Sequence, residues 1–255
     1  MEDTNISEIT STEKEITRAA NIIKTRKRCV ALTGAGISVE SGIPPFRSKG
    51  GLWEKYDPTV YASIDVFRKD PSKYWTIRGE FIRNYNNYQP NPGHLALMEL
   101  ETMGLLRCVI TQNIDGLHAK SGSKDILEIH GSLREIYCVN CKRQYIAPDI
   151  PAGTPPYCES CGGVLKPNTV LFGESLPATA LKRAQEESEE CGVMLVIGTS
   201  ANVFPAAALP EIAHRSGAVL VEINLENAFP QAEVYINEKS GIALPEIIRR
   251  IKDII

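Results

Sequence analysis

The stretch CVALTGAGISVE, residues 29–40, decides which fold this sequence predicts. Its hydrophobic run, Cys29–Leu32, is typical of a buried parallel strand, and the run leads almost directly into Gly34-Ala35-Gly36. Backbone N–H groups in such a turn can approach a pyrophosphate, although a strand-to-helix turn without a ligand has the same pattern. The dinucleotide fingerprint also requires a small residue three places after the second glycine, where this chain has Val39.

The residues that follow depart further from an ordinary dinucleotide loop. Ser41-Gly42 and Pro44-Pro45 interrupt a helix soon after it begins. Phe46 and Arg47 are therefore expected on a loop near the phosphates. An arginine on such a loop either pairs with a phosphate or is a solvated surface charge.

Hydrophobic runs and helical patterns alternate along the chain. Besides Cys29–Leu32, the predicted strands are Cys108–Thr111, Ile126–Ile129, Met194–Ile197 and Val219–Ile223. The predicted helices are an N-terminal one capped by Thr12 and Glu15 that runs to Lys24, then His94–Met103, Pro177–Glu189, Pro205–His214 and Pro245–Ile254. This alternation predicts an α/β protein with a Rossmann-like, doubly wound parallel sheet.

Two segments interrupt the alternation and predict a smaller inserted domain. An aromatic-rich segment, 44–92, indicates a helical module, and the turn-rich segment 136–167 indicates a zinc-ribbon module. The predicted Rossmann-like domain then comprises residues 1–43, 93–135 and 168–255.

Composition and charge exclude several classes of protein. The chain has 255 residues, 43% of them hydrophobic, and a net charge of −3, which gives no electrostatic footprint for nucleic acid or an anionic membrane. No apolar run is long enough to span a bilayer. The acidic, polar first fifteen residues do not resemble a secretory or transit peptide. Three scattered cysteines, Cys29, Cys108 and Cys191, argue against a disulfide framework, so a cytoplasmic protein is expected.

The other four cysteines have the spacing of a metal site. Cys138-x-x-Cys141 and Cys158-x-x-Cys161 supply four thiolates for tetrahedral zinc, which leaves no position for water and predicts a structural ion. A nucleic-acid-binding zinc module is the alternative, but the nearby basic residues are offset by acidic ones.

Polar residues follow several predicted strands, where open α/β sheets bind their ligands. Gln112, Asn113 and Asp115 can hydrogen-bond a sugar hydroxyl and a carboxamide, or one of them caps a helix. His130 ends another strand and is either a general base or a structural histidine. For His94 and His118, in helical patterns, packing or capping is expected.

Later segments add further candidates of the same kind. Thr199 and Ser200 can cap a helix and touch a phosphate or ribose, while Asn224 and Glu226 can hold ribose hydroxyls. The segment Phe172–Glu174 either lines a cleft between the domains or is a plain turn.

Together these segments resemble the sirtuin family of NAD-dependent protein deacylases. The matching pieces, in family order, are GAGIS with SGIP-x-FR, GLW at 51–53, TQNIDGLH at 111–118, HG at 130–131, the four zinc cysteines, FGE at 172–174 and GTS at 198–200. The resemblance implies that NAD and an acyl-lysine protein or peptide enter the cleft between the two domains. It also implies that the nicotinamide–ribose bond breaks, that the acyl oxygen attacks the ribose carbon, and that the acyl group ends on ADP-ribose.

The family pattern assigns roles to individual residues of this sequence. The implied catalytic residues are His130, which deprotonates a ribose hydroxyl, and Asn113, which positions a water. The implied NAD-binding residues are Gly34, Ala35, Gly36, Ser38, Phe46, Arg47, Trp53, Gln112, Asn113, Ile114, Asp115, Gly198, Thr199, Ser200, Asn224, Leu225, Glu226 and Ser240. The implied substrate-binding residues are Val170, Phe172, Gly173, Glu174, Val203 and Phe204.

The sequence departs from the family at three points. In the stretch 199–205, TSANVFP stands where the family usually ends in Val-Val-Tyr-Pro, so the peptide preference is expected to differ. The other two departures bear on rate and acyl specificity. Pro45 stands before Phe46 where the family usually has Asp or Thr, so the geometry of that loop is in question. Members that remove acidic acyl groups carry Tyr-x-x-Arg, whereas Tyr74 and Arg78 are four residues apart here. We therefore expect neutral acyl groups, acetyl or longer, with Arg78 and Arg83 as solvated charges.

Three other functions share features with the sequence. Mono-ADP-ribosyl transfer on the same fold begins with the same bond cleavage, but His130 favours deacylation. A zinc-containing nucleic-acid-binding protein that senses NAD is disfavoured by the acidic balance. A conventional dehydrogenase is disfavoured by the incomplete glycine fingerprint and the second module.

Overall fold

Six parallel strands form the main sheet of the computed structural model, which describes residues 10–46, 51–84, 87–146 and 154–254. The strands of the described residues are β1 (Cys29–Thr33), β2 (Leu106–Thr111), β3 (Ile126–Glu128), β4 (Gly131–Cys138), β5 (Gln144–Ile146), β6 (Leu165–Thr169), β7 (Val193–Ile197), β8 (Val219–Ile223) and β9 (Val234–Ile236). The helices are α1 (Ser11–Arg26), α2 (Leu52–Lys55), α3 (Pro58–Tyr61), α4 (Ile64–Lys69), α5 (Pro71–Asn84), α6 (Pro92–Thr102), α7 (Leu117–Ser121), α8 (Ala178–Glu190), α9 (Leu209–Arg215) and α10 (Ser240–Asp253).

The order of the main sheet is β3-β2-β1-β7-β8-β9, and every neighbouring pair is parallel. Chain order reverses at β1, so the carboxyl ends of β1 and β7 border the crevice where doubly wound sheets bind ligands. The predicted Rossmann-like sheet is confirmed. All five predicted strands are present, but β9 was missed because three residues between turns give no recognisable run.

Alternate side chains of the central strands pack into two separate cores. Ala31 and Leu195 contact the layer formed by α1, α6 and α10, while Leu32 and Met194 face α8 and α9. Strands buried on both faces must be hydrophobic throughout, and β1 and β7 have every residue buried. Helices on both faces therefore fix the sheet and leave its carboxyl edge open.

Three predicted helix boundaries were wrong. The capping box of α1 is formed by Thr10 and Glu13, two residues earlier than expected. Helix α10 begins at Ser240 and contains Pro245, which is tolerated in the second turn because the buried stripe from Leu244 to Ile251 holds the helix against the sheet. The predicted helix from Pro205 is a short 3-10 turn at Ala206–Ala208 followed by α9.

A second, antiparallel sheet of order β5-β4-β6 packs against the helices of the 44–92 segment. The Trp75 indole donates to the Leu165 carbonyl at 3.2 Å, and the Tyr74 hydroxyl lies 3.1 Å from the Thr169 hydroxyl. The predicted module boundaries at 135/136 and 167/168 fall inside β4 and β6. The division into domains therefore stays a prediction.

Arg78 is not the solvated charge that we expected. Its side chain is buried, with the residue 7% exposed, and its guanidinium carbon lies 5.9 Å from the centre of the Tyr74 ring. One helical turn separates the two residues, so they share the face of α5 that packs against the small sheet. The side chain of Arg83 lies outside the described residues.

The four paired cysteines lie together at one end of the small sheet. Their sulfur atoms are all within 4.8 Å of one another, and two of the Sγ–Sγ distances are 3.4 and 3.6 Å. Tetrahedral zinc with bonds of about 2.3 Å needs sulfurs about 3.8 Å apart, so this donor set fits structural zinc. The Tyr145 hydroxyl donates to Cys158 Sγ at 3.0 Å and lowers the pKa of that thiol to about 6, which favours the thiolate that binds metal.

Removal of one zinc ligand should therefore unfold the small sheet. We expect Cys158→Ser to lose zinc, measured by elemental analysis, and to melt at a lower temperature, because zinc binding supplies folding free energy of about 10 kcal/mol or more in comparable sites. Cys191→Ser removes a thiol from the main core and should retain the zinc. A zinc-free Cys158→Ser protein with an unchanged melting curve would contradict this role.

A second prediction concerns Gly131, which opens β4 directly after His130. Its φ is +74°, and a Cβ would lie 1.9 Å from the Asn168 carbonyl oxygen. Gly104 has nearly the same φ, +70°, but a Cβ there meets nothing within 4 Å among the described residues. Alanine should cost about 1–2 kcal/mol of unfolding free energy at Gly104, from backbone strain alone, and clearly more at Gly131. Equal losses in urea unfolding would refute the close approach.

Candidate active site

Two glycine-rich loops touch backbone to backbone at the open edge of the main sheet. The Gly36 N–H donates to the Gly198 carbonyl at 2.8 Å, and a Cβ on Gly36 would lie 2.5 Å from Gly198 Cα. The chain then forms a 3-10 helix, Ala35–Ser41, which ends at Gly42 with φ +86°. No α-helix starts here, so the fingerprint's third small residue is not needed, and Val39 is 43% exposed.

A buried polar network lies directly beneath this 3-10 helix. The Ser38 hydroxyl donates to Asp115 Oδ2 at 2.7 Å, and Asn113 Nδ2 donates to the Ser38 hydroxyl at 3.2 Å and to the Gly34 carbonyl at 3.0 Å. Burial raises the pKa of the Asp115 carboxyl, which the Leu117 N–H and Ser38 bonds oppose. The network borders a small pocket lined by Ala35, Ser38, Ile43, Phe46, Asn113, Ile114 and Asp115.

Two buried histidines, His94 and His118, pack next to this network. The rings of His94 and His118 are 4.9 Å apart, and His94 Nε2 lies 3.5 Å from the Ser38 hydroxyl. Burial lowers the pKa of His94 to about 4 and lowers that of His118 well below its usual value, so both rings are neutral. His94 Nδ1 also accepts the Asn91 N–H at the start of α6, so this histidine both packs and caps.

Phe46 lines the pocket from a loop whose two sides are joined by backbone hydrogen bonds. The Trp53 N–H donates to the Phe46 carbonyl at 2.9 Å, and the two rings stack with centroids 5.5 Å apart. The Pro45 carbonyl accepts the Leu52 N–H at 2.9 Å, a bond that needs no side chain or N–H from the proline. The predicted phosphate ligand Arg47 lies outside the described residues.

His130 is half-buried in the turn between β3 and β4, and one hydrogen bond fixes the orientation of its ring. Its Nδ1 lies 2.9 Å from the Gln112 carbonyl oxygen, which can only accept, so Nδ1 carries the proton. The neutral ring therefore has its lone pair at Nε2. Burial lowers the pKa of this imidazole, and the bond to Gln112 partly opposes the shift.

The predicted substrate segment runs beside His130. The Val170 N–H donates to the His130 carbonyl at 2.9 Å, and Phe172 forms two backbone bonds to Ala62 and Ile64. Glu174 turns inward, where its carboxylate binds the ammonium of buried Lys166 at 2.9 Å and the Leu171 N–H at 2.8 Å. These bonds hold the segment in place: Phe172 forms an isolated β-bridge with Ser63, the chain turns at Gly173 with φ +89°, and Phe172 is 44% exposed.

The other predicted ligands fall on three loops around the same edge. The Thr199 hydroxyl accepts the Gln112 amide at 2.9 Å, and the Asn224 amide donates to the Thr199 carbonyl at 2.9 Å. Ser200, Leu225 and Glu226 are exposed on these loops, as is Phe204, while Val203 is partly buried. None of these side chains is among the residues that line the small pocket.

Ser240 gives a separate test of whether a polar ligand fits this edge of the sheet. It is the first residue of α10, its hydroxyl is buried, and that oxygen has no hydrogen-bond partner among the described residues. The adjacent Gly241 N–H donates to Glu40, the residue that follows Val39 in the 3-10 helix. An orphan hydroxyl beside the glycine loop, together with the buried Asp115, fits a ligand rich in hydroxyl and amide groups, as NAD is.

Sequence reasoning missed three residues of this region. Ile43 lines the pocket, Lys166 anchors Glu174, and Glu222 is fully buried in β8. An acid inside the hydrophobic run VLVEI is itself a signal, because a buried carboxylate needs several donors. Lys166, in β6, gave no such signal, since its partner Glu174 lies beyond the end of that strand.

Comparison with known proteins agrees with this geometry. Residues 34–205 match the model of the Sir2 family. NAD-dependent protein deacylase 2 of Pyrobaculum aerophilum is 45% identical over 91% of this chain and 94% of its own length. A solved Sir2 homologue–NAD complex superposes with a TM-score of 0.85 at 40% identity, over 93% of this chain and 94% of that one. Sir2Af2 bound to a myristoylated histone peptide superposes with a TM-score of 0.81 at 37% identity, over 95% and 98%.

The family match covers more than half of the chain, and the matched stretch contains the glycine loop, the Ser38–Asn113–Asp115 network, His130 and the cysteine cluster. The relative from P. aerophilum extends the likeness to almost the whole length. The chain therefore belongs to the Sir2 family, the sirtuins.

Proposed function

We propose that this protein is an NAD-dependent protein-lysine deacylase that transfers the acyl group to ADP-ribose and releases nicotinamide. The observation that carries the proposal is the hydrogen bond from His130 Nδ1 to the Gln112 carbonyl, which leaves Nε2 as the ring nitrogen that can accept a proton. The names of the relatives and the NAD and acyl-peptide complexes of the structural neighbours support the same reaction.

NAD, when bound, supplies the electrophilic ribose carbon and the nicotinamide leaving group. The Asp115 carboxylate and the Ile114 backbone hold the carboxamide, and the Ser38 hydroxyl keeps Asp115 in place. Phe46, stacked on Trp53, covers the reacting centre and excludes stray water. Asn113 positions a water, and His130 Nε2 removes a proton from a ribose hydroxyl.

The remaining predicted roles divide between cofactor and peptide. The backbones of Gly34, Gly36 and Gly198 bring two loops close enough to receive the phosphates, with Arg47 as a phosphate ligand. Val170 and the exposed Phe172 are assigned to binding of the acyl peptide. A cytoplasmic location is consistent with three unpaired thiols outside the zinc site. No helix among the described residues is long and apolar enough to cross a membrane.

Neutral acyl groups, acetyl or longer, are the proposed substrates. The complex of Sir2Af2 with a myristoylated peptide supports long neutral chains in a relative. Burial of Arg78 beside Tyr74 is the observation that bears on the alternative, an acidic acyl group, because guanidinium groups recognise carboxylates.

A panel of acyl-lysine peptides separates these substrates. We expect mass spectrometry to detect NAD-dependent removal of acetyl and longer neutral groups, and little removal of succinyl. Arg78→Met should leave that order unchanged. Efficient desuccinylation that Arg78→Met selectively abolishes would overturn the preference for neutral groups.

Removal of the base tests the mechanism. We expect His130→Ala to lower kcat/KM for deacetylation by about 10²–10⁴-fold with little change in thermal stability. His214→Ala, which removes a partly exposed histidine at the end of α9, is the matched control and should keep full activity. Near-normal turnover in His130→Ala would refute the assignment.

Burial of His130 determines the direction in which the rate of deacylation depends on pH. The imidazole must be neutral to accept a proton, and burial lowers its pKa below the usual value of 6.5. The rate should therefore be retained down to pH 6.5 and fall only as the pH drops through the lowered pKa. We expect the acidic limb of kcat/KM for NAD to have its midpoint below pH 6.5, in wild type and in His214→Ala alike. A midpoint above pH 6.5 would contradict a buried neutral base.

A further inference from the structure

Glu222 carries a buried carboxylate that the proposed reaction does not use. It lies in β8, between β7 and β9, and is 0% exposed. Its Oε1 accepts the Ala228 N–H at 2.7 Å and the Asn224 amide at 3.2 Å, and its Oε2 accepts the Phe229 N–H at 3.2 Å. Within the described part of the chain, no ion pair involves Glu222. Burial of an unpaired carboxylate is costly, so these three N–H donors are its compensation.

All three donors belong to the loop that leaves the carboxyl end of β8. This loop, residues 224–229, carries Leu225 and Glu226 on its exposed side. Asn224 Oδ1 accepts the Leu225 N–H at 3.1 Å, and Asn237 donates to the Leu225 carbonyl at 2.8 Å. The loop is thus wrapped around one buried carboxylate, and its conformation depends on that group.

The same network continues into the candidate active site. Asn224 Nδ2 bonds both Glu222 and the Thr199 carbonyl, and the Thr199 hydroxyl accepts the Gln112 amide. The Gln112 carbonyl in turn accepts the His130 Nδ1–H. An unbroken chain of side-chain and backbone groups therefore links the buried carboxylate to the proposed base.

We infer that Glu222 is a positioning residue for NAD: it holds the 224–229 loop and the Thr199 backbone in the arrangement that receives a ribose of the dinucleotide. The inference rests on the proposed use of NAD. Glu222 lies beneath the loop and touches no ligand itself, so its effect is preorganisation. A loop already fixed in its binding conformation spares the ligand the cost of ordering it.

Loss of this carboxylate should weaken NAD binding more than catalysis. Glu222→Gln keeps the side-chain shape but turns an NH₂ group toward at least one N–H donor. We expect KM for NAD and Kd for ADP-ribose to rise about tenfold, which corresponds to about 1.4 kcal/mol. The kcat and the KM for the acetyl peptide should stay within about threefold of wild type, because Asp115, Phe46 and His130 keep their own contacts.

Two further variants make the test specific. Glu233→Gln is the matched control, because the Glu233 carboxylate also accepts a backbone N–H of β8, that of Leu220 at 2.7 Å, but at the far end of the strand. It should leave the KM for NAD unchanged. Glu222→Asp keeps the carboxyl group but cannot reach all three donors, so the KM for NAD should rise in this variant too, and it serves as the test if Glu222→Gln does not fold.

The outcomes separate this inference from the proposed function. A wild-type protein that does not consume NAD with an acetyl peptide would refute the proposed function and, with it, this role. A wild-type enzyme that is active, with an unchanged KM for NAD and Kd for ADP-ribose in the folded Glu222 variants, would overturn the inference alone. A fall in kcat without any change in these two constants would overturn it as well.

Discussion

The contact between Gly36 and Gly198 is the constraint on which the arrangement of the site depends. Strands β1 and β7 are parallel neighbours, so the loops that follow them leave the same edge of the sheet side by side and must pack closely. Only residues without a Cβ allow the 2.8 Å hydrogen bond between these loops. With the loops in contact, Thr199 reaches Gln112, and the Gln112 carbonyl orients His130. The proposed base is therefore fixed through backbone geometry at the centre of the sheet.

Much of this arrangement was predictable because parallel strands end at one edge. Hydrophobic runs identified five of the six strands, and polar residues directly after them, such as Asn113, Asp115 and Thr199, had to meet. Spacing alone predicted the cysteine cluster, which the sulfur positions fit. Val39 is accommodated because the helix after Gly36 is short and of 3-10 type.

The remainder depends on tertiary contacts that a single sequence does not encode locally. Pro245 lies inside α10 because packing of the buried stripe outweighs the lost hydrogen bond. Arg78 is buried because the small sheet covers that face of α5. The sequence alone does not show this contact, and a solvated Arg78 was therefore the wrong prediction. Glu174 forms an ion pair with Lys166 of β6, a contact that no local sequence pattern predicts. The predicted roles of the individual ligands follow the family pattern and stay predictions.

The buried polar side chains of the site are either neutral or hydrogen-bonded to several donors. His94 and His118 are neutral by burial, Asp115 has a raised pKa, and Glu222 is satisfied by three N–H donors. Such an interior costs folding stability and provides a fixed environment around a reacting centre.

The most direct test of NAD consumption coupled to deacylation is the ratio of nicotinamide released to lysine freed from an acetyl peptide. We expect one nicotinamide per lysine and no reaction without NAD; lysine freed without NAD, or nicotinamide released without deacylation, would contradict the proposed reaction.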